Sequence, residues 1–199
     1  MSRALEMARE LVKQLEEAEK NNKVQLSELT PGEVFKIGEH DFIVLEQVDG
    51  TTRVISKNLL AENITFDTTL RDYGNSDLKK YIENNIQPVI EKAVGKGNIV
   101  TSMVDLVSVD MQHGFDKCEC AVRPLTFDEA RKYNNLLVNE DLSDWWWTCT
   151  PWSTAARGYL RSIAVVSPSG YFGDGNCGNY RGVRPFCILE SNIFVSKGE

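Results

Sequence analysis

Five cysteines and two histidines are the side chains of this chain best suited to nucleophilic or metal chemistry; the cysteines are Cys118, Cys120, Cys149, Cys177 and Cys187. Zinc sites take four ligands in tetrahedral geometry, usually from paired Cys and His residues. Cys118 and Cys120 are separated by one residue. No second cysteine pair and no closely spaced pair of histidines accompanies them, since the two histidines are His40 and His113. The spacing therefore predicts no metal site. We expect one thiol to pack inside a strand and the others to be buried as small hydrophobic groups.

The sequence lacks the patterns of other common catalytic sites. A nucleophile needs a base within hydrogen-bond reach, and neither histidine lies near a distinctive serine or cysteine. Residues 167–170 read Ser-Pro-Ser-Gly, which is typical of a turn and not of a nucleophile elbow. Residues 95–98 lack the spacing of a phosphate loop, and residues 174–176 lack the full pattern of a calcium loop. We therefore expect no catalytic residue and no cofactor.

Residues 171–181 have the composition of a binding loop. Tyr and Arg supply large contact areas and strong anchors, while Gly and Asn supply adaptable backbone and hydrogen bonds. Together with upstream positions of similar character, the candidate ligand-binding residues are Trp152, Tyr159, Arg161, Tyr171, Phe172, Asp174, Asn176, Asn179, Tyr180 and Arg181. The same composition also fits an exposed Gly/Asn loop whose aromatic side chains fold back onto the core.

Three of the four tryptophans are consecutive, at Trp145, Trp146 and Trp147. On a strand, Trp145 and Trp147 point to one face and Trp146 to the other. At least one face must be covered, so we expect a structural role for this run and core packing for at least two of the three rings. Trp152 follows a proline in a predicted loop and is the better candidate for a surface role.

Composition excludes several classes of function. The chain has 199 residues and a net charge of −7, which argues against broad binding to nucleic acid or to an anionic membrane. The first twenty residues contain no apolar run of the kind found in a signal peptide, and no window is long and apolar enough to span a membrane. The odd number of cysteines then favours reduced thiols in a cytoplasm.

Residues 3–21 have apolar side chains at helical spacing and predict an N-terminal helix. Its narrow apolar stripe fits packing on the rest of the chain, or on a second copy in a homo-oligomer. We favour packing on the chain, because about two and a half heptads make a weak coiled coil.

The remaining pattern predicts short strands, two further helices and long turns. We expect a helix over 76–93 that Pro88 kinks near Gln87, and a short helix at 126–133 with a capping box. The predicted strands are 33–37, 41–47, 51–56, 99–109, 163–167 and 183–189.

The C-terminal third carries a set of short motifs, namely Trp145-Trp146-Trp147-Thr-Cys-Thr-Pro151-Trp152, Tyr159-Leu-Arg161, Val166-Ser-Pro-Ser-Gly170 and Gly182-Val183-Arg184-Pro185-Phe186. These resemble a C-type-lectin-like family of uncharacterised proteins from gut bacteria and their phages. The front half is similar too, in its opening hairpins and in the segments at 76–81 and 125–130. The resemblance covers roughly residues 28–190.

The resemblance implies an α+β, C-type-lectin-like fold, related to formylglycine-generating enzymes and to the variable proteins of diversity-generating retroelements. The enzyme branch would need a reactive cysteine pair, for which Cys177 and Cys187 are the candidates, although they lie further apart in sequence than that pair. In the retroelement proteins, the diversified positions correspond to 157–181 here. That stretch contains no Lys, Glu, Gln, Met or Trp, which are the residues that pyrimidine-ending codons cannot encode.

Residues 1–22 are therefore interpreted as an N-terminal helix and residues 23–199 as one domain, with a display segment at about 145–190. The leading hypothesis is a non-enzymatic phage or prophage protein, located in the host cell or the virion, that binds a protein ligand. We expect Arg184 to brace the fold through a carboxylate or backbone carbonyls. Three further hypotheses are a metal-dependent oxidase of the formylglycine-generating type, a phage structural component, and an inhibitor of a host defence system.

Overall fold

The computed structural model describes residues 3–69 and 71–198, with the side chains of these residues except 4 and 14–21. The described chain is a mixed α+β structure with short strands and few helices. Its α-helices are α1 (Arg3–Asn21), α2 (Asp77–Tyr81), α3 (Gln87–Val94), α4 (Phe127–Lys132) and α5 (Asn134–Leu137). Its strands are β1 (Lys23–Gln25), β2 (Val34–Ile37), β3 (His40–Val48), β4 (Thr51–Ser56), β5 (Ala61–Thr65), β6 (Ser102–Val104), β7 (Cys118–Cys120), β8 (Val122–Arg123), β9 (Trp146–Pro151), β10 (Ser162–Val166), β11 (Phe172–Asn176), β12 (Tyr180–Val183), β13 (Phe186–Glu190) and β14 (Phe194–Lys197).

The described strands form three sheets. The largest is antiparallel with the order β1-β14-β2-β3-β4-β13-β8, so β1 near the N-terminus pairs with β14 near the C-terminus. The second has the order β11-β10-β9-β12-β5 and is antiparallel except for the β9–β12 pair. The third contains only β6 and β7. The predicted α+β class with mostly antiparallel strands is confirmed.

Turn chemistry explains why the front half folds into hairpins. Asp49 and Gly50 both have positive φ, 49° and 78°, which is the backbone of the tight turn that joins β3 to β4. Asp-Gly is favoured at such turns because both positions must adopt left-handed conformations. The three strands predicted in this region are present as β2, β3 and β4.

The helix predicted over 76–93 is interrupted where Pro88 requires it. Ser76 caps α2 by accepting a hydrogen bond from the Lys79 N–H at 3.1 Å. Residues 82–86 form a wider π-helical turn before α3, and Pro88 lies in the first turn of α3. Because Pro lacks an N–H and its ring clashes with the preceding turn, the wider turn accommodates it.

Two predicted strands are wrong in extent. The strand predicted at 99–109 is present only at Ser102–Val104, although Ile99 forms an isolated bridge with Leu189. The strand predicted at 183–189 is split between β12 and β13 at Arg184-Pro185, because Pro185 cannot donate a ladder hydrogen bond. The short helix at 126–133 is confirmed as α4 with its capping box.

Buried side chains form two hydrophobic clusters on opposite faces of the central strands. Trp147 and its neighbours Phe66 and Val165 belong to the first, whereas Trp146 and Val166 belong to the second. Both tryptophans are fully buried. The alternation predicted for a strand is therefore present in β9.

Glycines in β11 provide the space that two tryptophan rings occupy. A Cβ on Gly173 would lie 3.0 Å from Cζ3 of Trp145, and one on Gly175 would lie 3.4 Å from Cζ3 of Trp147. The indole rings of Trp145, which directly precedes β9, and of Trp147 in β9 thus reach across β10 and pack against the backbone of β11. The composition of 171–181 favours flexible loop glycines, but these two serve close packing inside a strand.

Arg184 joins the two large sheets from inside the protein. Its Nε donates to the Ser56 carbonyl at 2.7 Å, at the end of β4, and its Nη1 donates to the Leu137 carbonyl at 2.6 Å, at the end of α5. The guanidinium carbon lies 5.5 Å from the centre of the Trp146 ring. Of the two kinds of partner expected for this residue, the described part of the chain supplies backbone carbonyls.

Residues 3–21 form helix α1, but its described apolar side chains do not pack on the rest of the chain. Leu5, Met7, Leu11 and Val12 are 46–66% exposed. The prediction that α1 packs on the rest of the chain is therefore wrong for its described side chains. The apolar stripe of α1 is narrow, so little apolar surface would be gained by burying it there.

Replacing Gly173 with Ala should destabilise the protein by about 1–3 kcal/mol, because the added methyl group overpacks against the Trp145 ring. Urea unfolding measures this difference, and near-ultraviolet circular dichroism reports the displaced indole. Gly97→Ala is the matched control, because nothing lies within 4 Å of its Cβ position. Equal stability of the two variants would contradict the packing argument.

Glu46 provides a test of pH dependence. Hydrogen bonds from Lys132 and Tyr133, together with Arg53, lower the pKa of its carboxyl from 4.5 to about 2. A lowered pKa contributes stability that is present above pH 4.5 and is lost as the pH falls through about 2. We expect wild type to exceed Glu46→Gln in free energy of unfolding by a constant margin above pH 4.5, and this margin should shrink as the pH approaches 2. A margin independent of pH, measured by urea titration, would exclude this role.

Candidate binding surface

The ten predicted ligand-binding residues fall into an exposed group and a half-buried group. Seven are exposed, namely Tyr159, Arg161, Tyr171, Asp174, Asn176, Asn179 and Tyr180. Trp152, Phe172 and Arg181 are half-buried. The core residues of β10 lie between them in sequence, so the exposed positions of 157–181 form a surface interrupted by buried ones.

Tyr171 is an exposed ring on a rigid support. It is 69% exposed, and its ring meets the Trp145 ring edge-to-face at 6.0 Å. Its backbone N–H donates to the Ser167 hydroxyl and its carbonyl accepts from the Ser167 N–H, both at 2.9 Å. Gly170 closes this turn with a φ of 80°. The turn predicted at 167–170 is therefore present, and it fixes the backbone of Tyr171.

Two of the predicted aromatic residues pack on a third that the sequence did not single out. Phe127, at the start of α4, lies 5.1 Å from the Phe172 ring centre and 6.5 Å from that of Trp152. Both pairs are edge-to-face. The surface role predicted for Trp152 is thus limited by packing, because one face of this aromatic row is covered by α4.

A second group of predicted residues meets around Cys177. The Cys177 N–H donates to the Arg161 carbonyl at 2.7 Å, and its own carbonyl accepts from Phe66 and Asp67 at 3.0 and 3.1 Å. The Arg161 guanidinium donates to the Thr68 carbonyl. We call this group the Arg161 region; it consists of residues 67–69, 71, 159–161 and 176–181.

Polar side chains in the Arg161 region shape its turn. The Asn176 side-chain oxygen accepts from the Gly178 N–H at 3.0 Å, and the Asn179 N–H donates to the Asn176 carbonyl at 2.8 Å. This is the turn chemistry expected of asparagine. Asp174 instead projects from β11, with its neighbours Gly173 and Gly175 facing the tryptophan rings.

Three guanidinium groups of the Arg161 region have no carboxylate partner among residues 3–69 and 71–198. Arg71 stacks over the Phe115 ring at 5.4 Å, and burial lowers its pKa. Its Nη1 and the Nε of Arg181 are buried and unpartnered in the described chain. The third guanidinium group is that of Arg161. This region therefore presents positive charge on a chain whose net charge is −7.

Tyr171 and the Arg161 region lie beyond opposite ends of the β10–β11 ladder, which pairs Val166 with Phe172 and Ser162 with Asn176. Five paired residues span about 14 Å. The exposed positions are thus spread along the β10–β11 ladder rather than gathered at one end of it.

Sequence reasoning missed two exposed or charged members of this surface. Leu160 is 64% exposed, and its position between Tyr159 and Arg161 was the available signal. Arg71 lies ninety residues away in sequence from Arg161, and no local pattern connects the two.

The thiols proposed for oxidase chemistry are inaccessible. Cys177 is fully buried and Cys187 nearly so, and burial raises the pKa of the Cys187 thiol to about 12. Both pack in the first hydrophobic cluster. The described residues contain no group of three or more His, Cys, Asp or Glu side chains placed to hold a metal ion.

No helix in the described part of the chain has the length and apolar character needed to cross a membrane. Comparison of the chain with models of protein families, with curated proteins and with solved structures found no match in any of the three.

Proposed function

We propose that this chain is a non-enzymatic binding protein of phage or prophage type. Its C-type-lectin-like fold would present the exposed positions of 157–181 to a protein ligand. The observation that carries the proposal is the exposure of four large side chains, Tyr159, Leu160, Tyr171 and Tyr180, on a hydrogen-bonded framework. Large exposed aromatic and aliphatic side chains that cluster on a surface are typical of interaction sites.

The order of elements supports the C-type-lectin-like assignment. The opening hairpins, the helical segment of 77–94 and Arg184, just before the closing strand β13, occur in the order that the resemblance implies. The chain ends of the fold are adjacent, since β1 pairs with β14. Residues 157–181 then fall just before the closing strand, where the retroelement-diversified proteins vary.

The chemistry of the surface favours a partner with both apolar and acidic groups. Tyr and Arg are the residues most enriched among binding hot spots. The tyrosines offer contact area at low entropic cost, and the guanidinium groups of Arg71, Arg161 and Arg181, which have no carboxylate partner in the described chain, would pair with carboxylates of the ligand. We therefore infer an acidic protein surface as the ligand.

The combined change Tyr171→Ala, Tyr180→Ala and Arg161→Ala should weaken this binding strongly. Partners are captured from a lysate of the bacterial host, identified by mass spectrometry, purified and titrated. We expect the triple variant to raise the Kd at least about 30-fold, because a hot-spot residue contributes about 2 kcal/mol or more.

Phe194→Ala is the matched control, because Phe194 is as exposed as Tyr171, at 69%, but lies on β14 of the other sheet. It should bind like wild type. Equal affinity of the triple variant and wild type, with both folded, would refute the assignment of this surface.

A formylglycine-generating-type oxidase gains no support from the fold. Its two candidate thiols, Cys177 and Cys187, are enclosed in the core, and substrate could not reach either without unfolding. A phage structural component and an inhibitor of a host defence system are both compatible with the same binding surface.

We further propose that α1 mediates self-association, as a structural component would require. Its described apolar side chains are exposed, and its charges are arranged for antiparallel pairing with a second copy. Residues 3–13 carry three basic and two acidic side chains, whereas residues 14–21 carry one basic and three acidic ones. Antiparallel helices would place these halves opposite each other.

Changing Leu5 and Leu11 together to Glu should convert the assembly to a monomer, because both leucines lie on the apolar side of α1. Light scattering after size-exclusion chromatography gives the mass directly. Glu6→Lys, on the charged side of the same helix, is the control and should leave the mass unchanged. If wild type is itself a monomer at high concentration, α1 is not an assembly element.

A further inference from the structure

Cys118 and Cys120 have their sulfur atoms 3.5 Å apart. They are the first and last residues of β7, so their side chains share one face while Glu119 points to the other. From the sequence, we expect one of the five thiols to pack inside a strand and the others to be buried as small hydrophobic groups, whereas Cys118 is only half-buried. At 3.5 Å the two sulfurs are in van der Waals contact, and forming a disulfide would bring them about 1.5 Å closer.

The five thiols differ in access. Cys149, Cys177 and Cys187 are at most 1% exposed, and Cys120 is 6% exposed. Cys118 is half-buried, so its sulfur lies at the edge of the first hydrophobic cluster. Among all five, Cys118 is therefore the thiol that a small reagent can reach.

Charged groups around the pair favour a thiolate at Cys118. A hydrogen bond joins the Cys118 and Cys120 sulfurs, and Lys79 of α2 and Arg123 of β8 add positive charge. These effects lower the pKa of Cys118 despite its burial and the opposing charge of Asp72. The hydrogen bond and burial raise the pKa of Cys120. One sulfur is thus prepared to attack and the other holds a proton.

The pair lies in the smallest of the three described sheets. β7 pairs only with β6, in a sheet of two strands, and residues 105–117 between them contain neither helix nor strand. Alternate residues of a strand have Cα atoms about 6.6 Å apart, near the upper limit for a disulfide. Closing the bond therefore requires a bend in β7, and such a disulfide is easily reduced.

We propose that Cys118 and Cys120 form a thiol–disulfide exchange site that reacts with low-molecular-weight disulfides such as oxidised glutathione. The Cys118 thiolate attacks one sulfur of glutathione disulfide, forms a mixed disulfide and expels a glutathione thiolate, which takes the Cys120 proton. The Cys120 thiolate then attacks the Cys118 sulfur, forms the intrachain disulfide and expels the second glutathione, which is protonated by solvent. Two protein thiols are oxidised, and one glutathione disulfide is reduced to two glutathione thiols.

The test uses the full, reduced chain in buffers of increasing oxidised-to-reduced glutathione ratio. The samples are quenched with acid, free thiols are alkylated, and intact mass and peptide mapping count and locate the disulfides. We expect wild type to lose two thiols to a bond between Cys118 and Cys120, with three thiols still alkylated after unfolding. Cys120→Ser should accumulate one glutathione on Cys118, and Cys118→Ser should accumulate none.

Three outcomes would overturn the proposal. Wild type could remain fully reduced at the highest ratio, could retain glutathione on Cys118, or could form a disulfide that involves another cysteine. Wild type alone decides among these outcomes, so the conclusion does not depend on the folding of either variant. The result is also independent of the proposed ligand-binding function.

Discussion

The buried guanidinium of Arg184 is the interaction on which the junction of the two large sheets depends. It donates to the ends of β4 and α5 and lies against Trp146 of β9, so three separate segments meet at one side chain. Burial lowers its pKa to about 10, and its hydrogen bonds within the described chain go to backbone carbonyls. Its Nε and Nη1 are bonded, whereas Nη2 is buried without a partner in the described chain. Separating these segments would leave the other two nitrogens of a buried charge unbonded as well, so such arrangements are disfavoured. Arg184 therefore favours one relative placement of the sheets.

Contacts with the core hold the exposed side chain of Tyr171 in place. Trp146 and Trp147 are buried on opposite faces of β9, and the rings of Trp145 and Trp147 occupy the space left by Gly173 and Gly175. The exposed Tyr171 rests on Trp145. Contacts between core and surface thus restrict the exposed aromatic ring, which reduces the entropy lost when a partner binds.

Local signals in the sequence were sufficient for much of the fold. The Asp49-Gly50 turn, the alternation of the tryptophans and the Thr126 capping box are all properties of a few neighbouring residues, and each is present. The errors arise where distant contacts decide. The alternating apolar pattern predicts one strand over 183–189, but the strand is interrupted at Pro185. The described apolar side chains of α1 are exposed instead of packed on the rest of the chain. The site was predictable only in part, because Arg71 is distant in sequence from Arg161 and because the space at Gly173 is occupied by the ring of Trp145, which comes from a distant part of the chain.

The pairing of β1 with β14 has a consequence for the order in which the protein can fold. β14 lies between β1 and β2, so during synthesis both strands must wait for residues 194–197 to leave the ribosome. Until then the outer edge of β2 is an unpaired strand, and such edges recruit other chains. Contacts this distant in sequence also slow folding. The nascent protein would therefore spend its synthesis time with an open sheet edge, a state in which chaperones could bind it.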